Sequence, residues 1–209
     1  DTSAVTDMRS MFGSCSSLQK VVLGKDFKFV GSEGYLPTPS STYFSGATGK
    51  WKNTAGIKFV PSAIPNNVAD TYIVDTVNYQ VAFNANGGSG SMSNQSFGYG
   101  ESKALTANSF TRTGYSFSGW KTSGGTAYAD KATVSNLTET DGAVITLYAQ
   151  WSPISYSISY TLNGGSISGQ PASYNIETAT FTLPTPSKSG YSFAGWTGTG
   201  LSSATKSVS

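Results

Sequence analysis

Apolar and polar residues alternate with a period of two at three places along the chain, the pattern of a strand that buries one face. In the first, Tyr79, Val81 and Phe83 are interleaved with Gln80, Ala82 and Asn84. In the second, Gly114–Trp120, the residues Tyr115, Phe117 and Gly119 fall on one face and Ser116, Ser118 and Trp120 on the other. In the third, Val144–Trp151, Ile145, Leu147, Ala149 and Trp151 point one way and Thr146, Tyr148 and Gln150 the other. Asn86-Gly87-Gly88 follows the first strand with residues that tolerate positive φ, so a turn is expected there. A loop-rich connection over Thr122–Thr140 carries Tyr128, Val134 and Leu137, and helix is signalled only as a turn near Gly100–Ala107.

Two of these patterns return. Gly-Tyr-Ser-Phe-Ser-Gly-Trp at Gly114–Trp120 recurs as Gly-Tyr-Ser-Phe-Ala-Gly-Trp at Gly190–Trp196. The strand at Tyr79 and its turn recur at Tyr156–Tyr160 and Asn163-Gly164-Gly165, displaced by one position more than the heptad. The chain therefore reads as two tandem copies of one small module separated by a single-residue deletion, 77–152 and 153–209. In the first copy the chain runs on from Trp120 to a third strand motif ending at Trp151, whereas Ser209 follows soon after Trp196 in the second. The second copy is expected to lack its closing strand, leaving an edge that stays open or pairs with another chain.

Ahead of the modules, Val5, Met8, Met11 and Phe12 suit one or two helical turns capped by Thr6, and Leu18–Leu23 suits a short strand. Thr-Asp-Met, Met-Phe and Cys-Ser-Ser-Leu, in that order, resemble the units of BspA-like leucine-rich repeats. The resemblance covers one unit, 1–28, and a single rung cannot bury its own face, so further rungs are expected upstream. In such a rung Cys15 would be a small buried hydrophobe. Residues 29–76 are irregular, with Pro37, Pro39, Pro61 and Pro65 excluding long helices and Ile57–Val60 as a strand candidate. Their aromatics, Tyr35, Tyr43, Phe44, Trp51, Phe59 and Tyr72, read as a cap over the solenoid end. The alternative is a carbohydrate platform built from Tyr43 and Trp51, with Tyr35 beside them.

Composition narrows the class. Aromatics make up 13% of residues and charged residues only 11%, well below the ~25% of an average domain. Gly, Ser and Thr fill the difference, as in secreted all-β modules. The 13 basic and 11 acidic side chains are scattered, so nothing points to nucleic acid or an anionic membrane. No apolar stretch is long enough to span a bilayer.

The order Tyr-x-Val-x-Phe-x-x-Asn-Gly-Gly, Gly-Tyr-x-Phe-x-Gly-Trp, Leu-Tyr-Ala-x-Trp is similar to the internalin-type B repeat, or Listeria-Bacteroides repeat. The motifs stand at Tyr79–Gly88, Gly114–Trp120 and Leu147–Trp151, with the first two again at Tyr156–Gly165 and Gly190–Trp196. The resemblance implies small β-grasp-like (ubiquitin-like) sheets, tandem stalk modules of extracellular bacterial surface proteins beside leucine-rich domains. It carries over no active-site residue.

With no histidine and one cysteine, Ser-His-Asp triads, Cys-His pairs, most zinc sites and an internal disulfide are excluded. Asp130, Glu139 and Asp141 cluster in sequence without a spacing that specifies glycoside hydrolysis or calcium binding, and read as solvated loop acids. Lys121 and Lys131 are the amines to consider for an isopeptide bond. No enzyme, cofactor or metal is expected. The reading is a mainly β, non-enzymatic adhesion and stalk segment. It would present a leucine-rich recognition domain to a host or neighbouring-cell protein or glycan, with carbohydrate binding through Tyr43 and Trp51 as the alternative.

Overall fold

The computed structural model describes residues 2–198 and 207–208 and contains no α-helix among them. The chain up to Thr76 is built on one antiparallel sheet. Its strands are β1 (Lys20–Leu23), β2 (Ala47–Lys52), β3 (Lys58–Phe59) and β4 (Asp70–Thr76), in the order β1-β4-β2-β3. β1 falls where the leucine-rich reading puts a strand, and β3 lies inside Ile57–Val60. The helical turns expected at Val5–Phe12 are separate tight turns, and of their apolar residues only Met8 is buried.

Lys20 pairs with Ile73 and Leu23 with Asp70, so β1 shares a sheet with β4. It also shares a core: Leu23, Leu36, Trp51, Ile64 and Tyr72 are buried together, with Phe12, Phe27, Phe29 and Phe59 against them. One sheet and one core thus cross the expected boundary at residue 28. Cys15 is not buried as expected but exposed. It sits between two tight turns held by local backbone bonds, its amide donating to Phe12 O and its carbonyl accepting from the Leu18 amide.

The first repeat is built on β5 (Asn78–Asn84), β6 (Gln95–Gly98), β7 (Lys103–Ala104), β8 (Tyr115–Thr122), β9 (Ala127–Tyr128), β10 (Thr133–Val134) and β11 (Val144–Pro153). Its main sheet runs β6-β5-β11-β8-β9, and β7 pairs with β10 in a separate ribbon. β5 is antiparallel to β6 and parallel to β11, with Ile145 opposite Val81 and Leu147 opposite Phe83. The alternation is real: Tyr79, Val81, Leu147 and Ala149 are buried while Asn78 and Gln80 are exposed. Asn86 and Gly87 turn the chain at φ +47° and +84°.

One face assignment is corrected. Trp120 is expected opposite Tyr115 and Phe117, on the serine face, but it is fully buried and packs on Phe83 with ring centroids 5.0 Å apart. Gly119, at φ +133°, resets the alternation so that residues 119 and 120 are both buried. Gly195, at φ +137°, stands before Trp196 in the same way.

The second repeat keeps the register of the first. Its strands are β12 (Tyr156–Ser157), β13 (Ser173–Tyr174), β14 (Phe181–Thr182) and β15 (Ser207–Val208). Tyr156 pairs with Tyr174 as their counterparts Tyr79 and Phe97 pair in the first copy. The bridge Ser166–Ser187 repeats Ser89–Thr111, but its second residue is displaced by one position less than its first. The single-residue deletion therefore lies between positions 97 and 111 of the first copy. The strand expected at Tyr156–Tyr160 covers only Tyr156–Ser157, and the second heptad is not a strand. In the first copy β8 is hydrogen-bonded between β11 and β9, and no described segment supplies those neighbours to residues 190–196. The edge expected to stay open or pair with another chain is the one a closing strand would cover; among the described residues β12 pairs only with β13 and β14 only with β15.

Contacts divide the chain into two compact units. One comprises Asp1–Asn84, Met92–Asn108 and Trp120–Tyr148, the other Ala85–Ser91, Ser109–Gly119 and Ala149–Ser209.

Candidate functional site

The residues proposed as a carbohydrate platform do not form one. Trp51 is fully buried, with its indole N–H donating to Pro37 O at 2.9 Å, so neither ring face can stack on a sugar. Tyr43 and Tyr35 are exposed. Among the described residues no three of His, Cys, Asp and Glu come together as a metal site. Asp130 accepts the Asn108 amide and Glu139 is exposed, so the acids of that loop act separately. Lys121 and Lys131 are both exposed, without the dry surroundings an isopeptide bond needs.

What the fold does build is a joint at the start of each repeat. In the first unit, the Val77 amide donates to the carbonyl of Gly46 at 2.8 Å, and the Tyr99 amide donates back to Val77 O at 2.9 Å. Gly46 has φ +74°, and a methyl group on it would run into the Tyr99 ring. Only glycine takes both this conformation and this approach without strain.

A buried charge cluster secures the same joint. Asp75 is completely buried, accepts a hydrogen bond from Thr48 Oγ1 at 2.7 Å and lies 2.9 Å from Lys58 Nζ, with Lys52 at 3.5 Å. Lys58 also donates to Asp141 Oδ2 at 2.6 Å. The other Asp141 oxygen accepts the Asn78 amide at 3.1 Å, and the Gly142 amide donates to Asn78 O at 2.7 Å. Burial works against the Lys58 charge, but the bonds to Asp141 and Asp75 outweigh it and hold the ammonium pKa above the ordinary lysine value. Burial alone would raise the Asp141 carboxyl. The bonds from Lys58 and from the Asn78 amide reverse this, and its pKa lies below the usual carboxylate range.

In the second unit the joint recurs between the repeats. The Ile154 amide donates to Gly114 O at 2.9 Å. Gly114 has φ +78°, and a Cβ on it would lie 2.5 Å from Ile176 Cδ1. A polar clasp flanks it. Tyr115 Oη donates to Glu177 Oε1 at 2.9 Å, and the Arg112 guanidinium lies over the Tyr115 ring at 3.9 Å. The bond to Glu177 raises the Tyr115 phenol above its ordinary pKa, and burial adds to it.

The family model of the Listeria-Bacteroides repeat domain matches residues 79–150 and again 156–207, more than half of the chain. The chain belongs to the Listeria-Bacteroides repeat family. This family is typical of bacterial surface proteins and is found in extracellular ones. No curated protein and no solved structure matches the chain. No helix among the described residues is long and apolar enough to cross a membrane.

Each Listeria-Bacteroides repeat begins just after its joint: Val77 and Ile154 stand shortly before Tyr79 and Tyr156, where the two matches start. In the sequence Gly114 is visible as the first letter of the heptad, but its partners are not. Ile176 and Glu177 lie far along the chain from Gly114 and Tyr115, and Lys58 is 83 residues from Asp141, with no local pattern marking either pairing.

Proposed function

We propose that the chain is a non-enzymatic stalk segment of a bacterial surface protein, holding a leucine-rich recognition domain clear of the cell by serially docked repeats. The observation that carries the reading is the joint: each repeat begins with an amide-to-glycine hydrogen bond and a side chain over the glycine, in place of a free linker. Packed joints of this kind transmit position from one module to the next, which a Gly/Ser linker does not. The β-grasp reading of the repeats rests on the mixed sheet, in which the first strand β5 lies parallel to the last, β11, in the order β6-β5-β11-β8-β9. In place of a crossing helix the repeat carries the β7–β10 ribbon.

The leucine-rich assignment of residues 1–28 stands on the motif Thr-Asp-Met, Met-Phe, Cys-Ser-Ser-Leu and on β1, whose partner β4 belongs to the cap. The family supports a place outside the cell, and the ligand would be a host or neighbouring-cell protein or glycan met by the upstream domain. The glycan alternative has lost its tryptophan to the core and rests on Tyr35 and Tyr43.

The test pairs a glycan array probed with the intact chain with single-molecule stretching of the same chain. The stalk reading expects no selective glycan and cooperative resistance to extension. A selective glycan whose binding disappears in Tyr43→Ala would replace it with the carbohydrate-binding reading.

A further inference from the structure

The joint occurs twice in one geometry, and its acceptor half occurs a third time. Val77 and Ile154 hold the same position in the two repeats, and so do Tyr99 and Ile176, each the second residue after a paired aromatic, Phe97 or Tyr174. Their acceptors, Gly46 and Gly114, have nearly equal φ, +74° and +78°. Gly190 is the counterpart of Gly114 in the second heptad and has φ +77°.

The residues around Gly190 repeat those around Gly114. Lys188 Nζ lies 4.4 Å over the Tyr191 ring, where Arg112 covers Tyr115. What differs is the occupant. No described atom lies within 4 Å of the place a Cβ on Gly190 would take, whereas Gly114 meets Ile176. Tyr191 is 72% exposed, the largest value among the exposed large hydrophobic residues described, while Tyr115 is half-buried under its clasp. A shallow groove runs past it, lined by Gly164, Gly165, Ser187, Lys188, Tyr191 and Phe193.

We propose that Gly190 and Tyr191 form the acceptor socket for the start of a further Listeria-Bacteroides-type repeat, docked in series. The occupant's chemistry is given by the two filled joints. It brings a branched aliphatic residue two positions before its first-strand tyrosine, whose amide donates to Gly190 O. It also brings an apolar residue two positions after its second-strand aromatic, which covers the Gly190 Cα. From the joint at Gly114 alone comes a glutamate next to that residue, which accepts from Tyr191 Oη as Glu177 accepts from Tyr115. Among the described residues the two donors of this kind are already seated, Val77 on Gly46 and Ile154 on Gly114, so the occupant is taken to be the start of another repeat. The inference rests on the stalk reading and names the partner of its next joint.

The test splices the protein at its repeated tryptophan, so that residues 121–209 follow Trp196 and the chain carries a third joint donor made of its own sequence, a second copy of Ile154. Hydrogen exchange at that added isoleucine amide should be slowed as much as at Ile154, and nitration of Tyr191 by tetranitromethane should fall at least fivefold relative to the unspliced chain. An added amide that exchanges freely beside a protected Ile154 overturns the socket and leaves the stalk reading intact. Should the spliced chain not fold, Ile176→Ala in the unspliced chain decides, since Ile176 is half-exposed and its loss spares the core. Exchange at Ile154 should then rise at least tenfold with the Tyr79 amide unchanged. No rise would overturn the joint itself, and the stalk reading with it. Protection of Tyr191 that grows with the concentration of the unspliced chain would place the occupant on a second molecule and overturn docking in series.

Discussion

The Lys58 ammonium lies 2.6 Å from the Asp141 carboxylate although 83 residues separate the two, and it also reaches the buried Asp75 at 2.9 Å. One lysine thus ties strand β3 to a loop of the first repeat. The two contacts differ in environment. Asp75 has no exposure, whereas the Asp141 side chain keeps 31% of its surface in water. Lys58→Met leaves Asp75 buried with Thr48 and the more distant Lys52, and should cost about 3 kcal/mol. Asp141→Asn leaves Lys58 its better-buried partner and should cost about 1 kcal/mol after solvent screening. Urea midpoints of the two variants check the order, and equal losses would contradict it.

The same cluster sets a pH dependence. The folded pKa of Asp141 is lowered, so its contribution is present above the unfolded value of ~3.9 and is lost as pH falls through the folded one. The folded pKa of Lys58 is raised, so its contribution is present below the unfolded ~10.4 and is lost as pH rises through the folded one. Between these limits the pair should contribute a constant amount. In acid, Asp141→Asn should flatten the fall in stability without abolishing it. Asp7, beside Arg9, and Asp70, bonded by the Thr54 hydroxyl, are also lowered, as is Glu101, bonded by the Gly98 amide. Urea midpoints from about pH 2 to pH 6 give the slopes, and an unchanged slope in the variant would show that Asp141 does not carry its share.

Trp51 and Tyr43, the two candidates for one ligand platform, separate cleanly by stability. Trp51 fills the centre of the N-terminal core, so Trp51→Ala should cost about 3–5 kcal/mol. Tyr43 is 55% exposed, and Tyr43→Ala should stay within about 0.5 kcal/mol. Thermal denaturation distinguishes them. A neutral Trp51→Ala would return the indole to the surface and revive the platform.

These residues also show what is legible in the chain itself. Tyr79, Val81, Leu147 and Ala149 are placed inside correctly because a strand writes its buried face into neighbouring positions. The same rule misplaces Trp120, since a single glycine at φ +133° shifts the period and leaves no other trace. Trp51 and Tyr43 look alike in an irregular segment, where no period separates core from surface. Lys58, Asp75 and Asp141 could not be grouped, because ion pairing over 83 residues follows from the sheet's path and from nothing local.

Cys15 supplies a direct check on the N-terminal segment. Its thiol is exposed, so a thiol reagent such as DTNB should modify one equivalent per native chain without denaturant. Reaction only after unfolding would restore the buried cysteine of a stacked leucine-rich rung.

The clasp between the repeats is tested by its own titration. The Tyr115 phenol pKa is raised first by its bond to Glu177, then by burial and by the Glu177 charge, while Arg112 pulls the other way. A raised folded pKa means that the neutral phenol stabilises the fold. This contribution is present below the unfolded value of ~10 and is lost as pH rises through the folded one. Glu177→Gln removes the anion and should move the Tyr115 titration down, whereas Arg112→Met removes the opposing charge and should move it up. Carbon-13 resonances of labelled tyrosine resolve the shifts, with Tyr160, raised by burial alone, as the resonance that should not move. Opposite displacements in the two variants require Tyr115 to sit between Glu177 and Arg112 in solution. If neither variant moves it, the clasp is not formed, and the joint reduces to the hydrogen bond from Ile154 to Gly114 and the packing of Ile176 upon it.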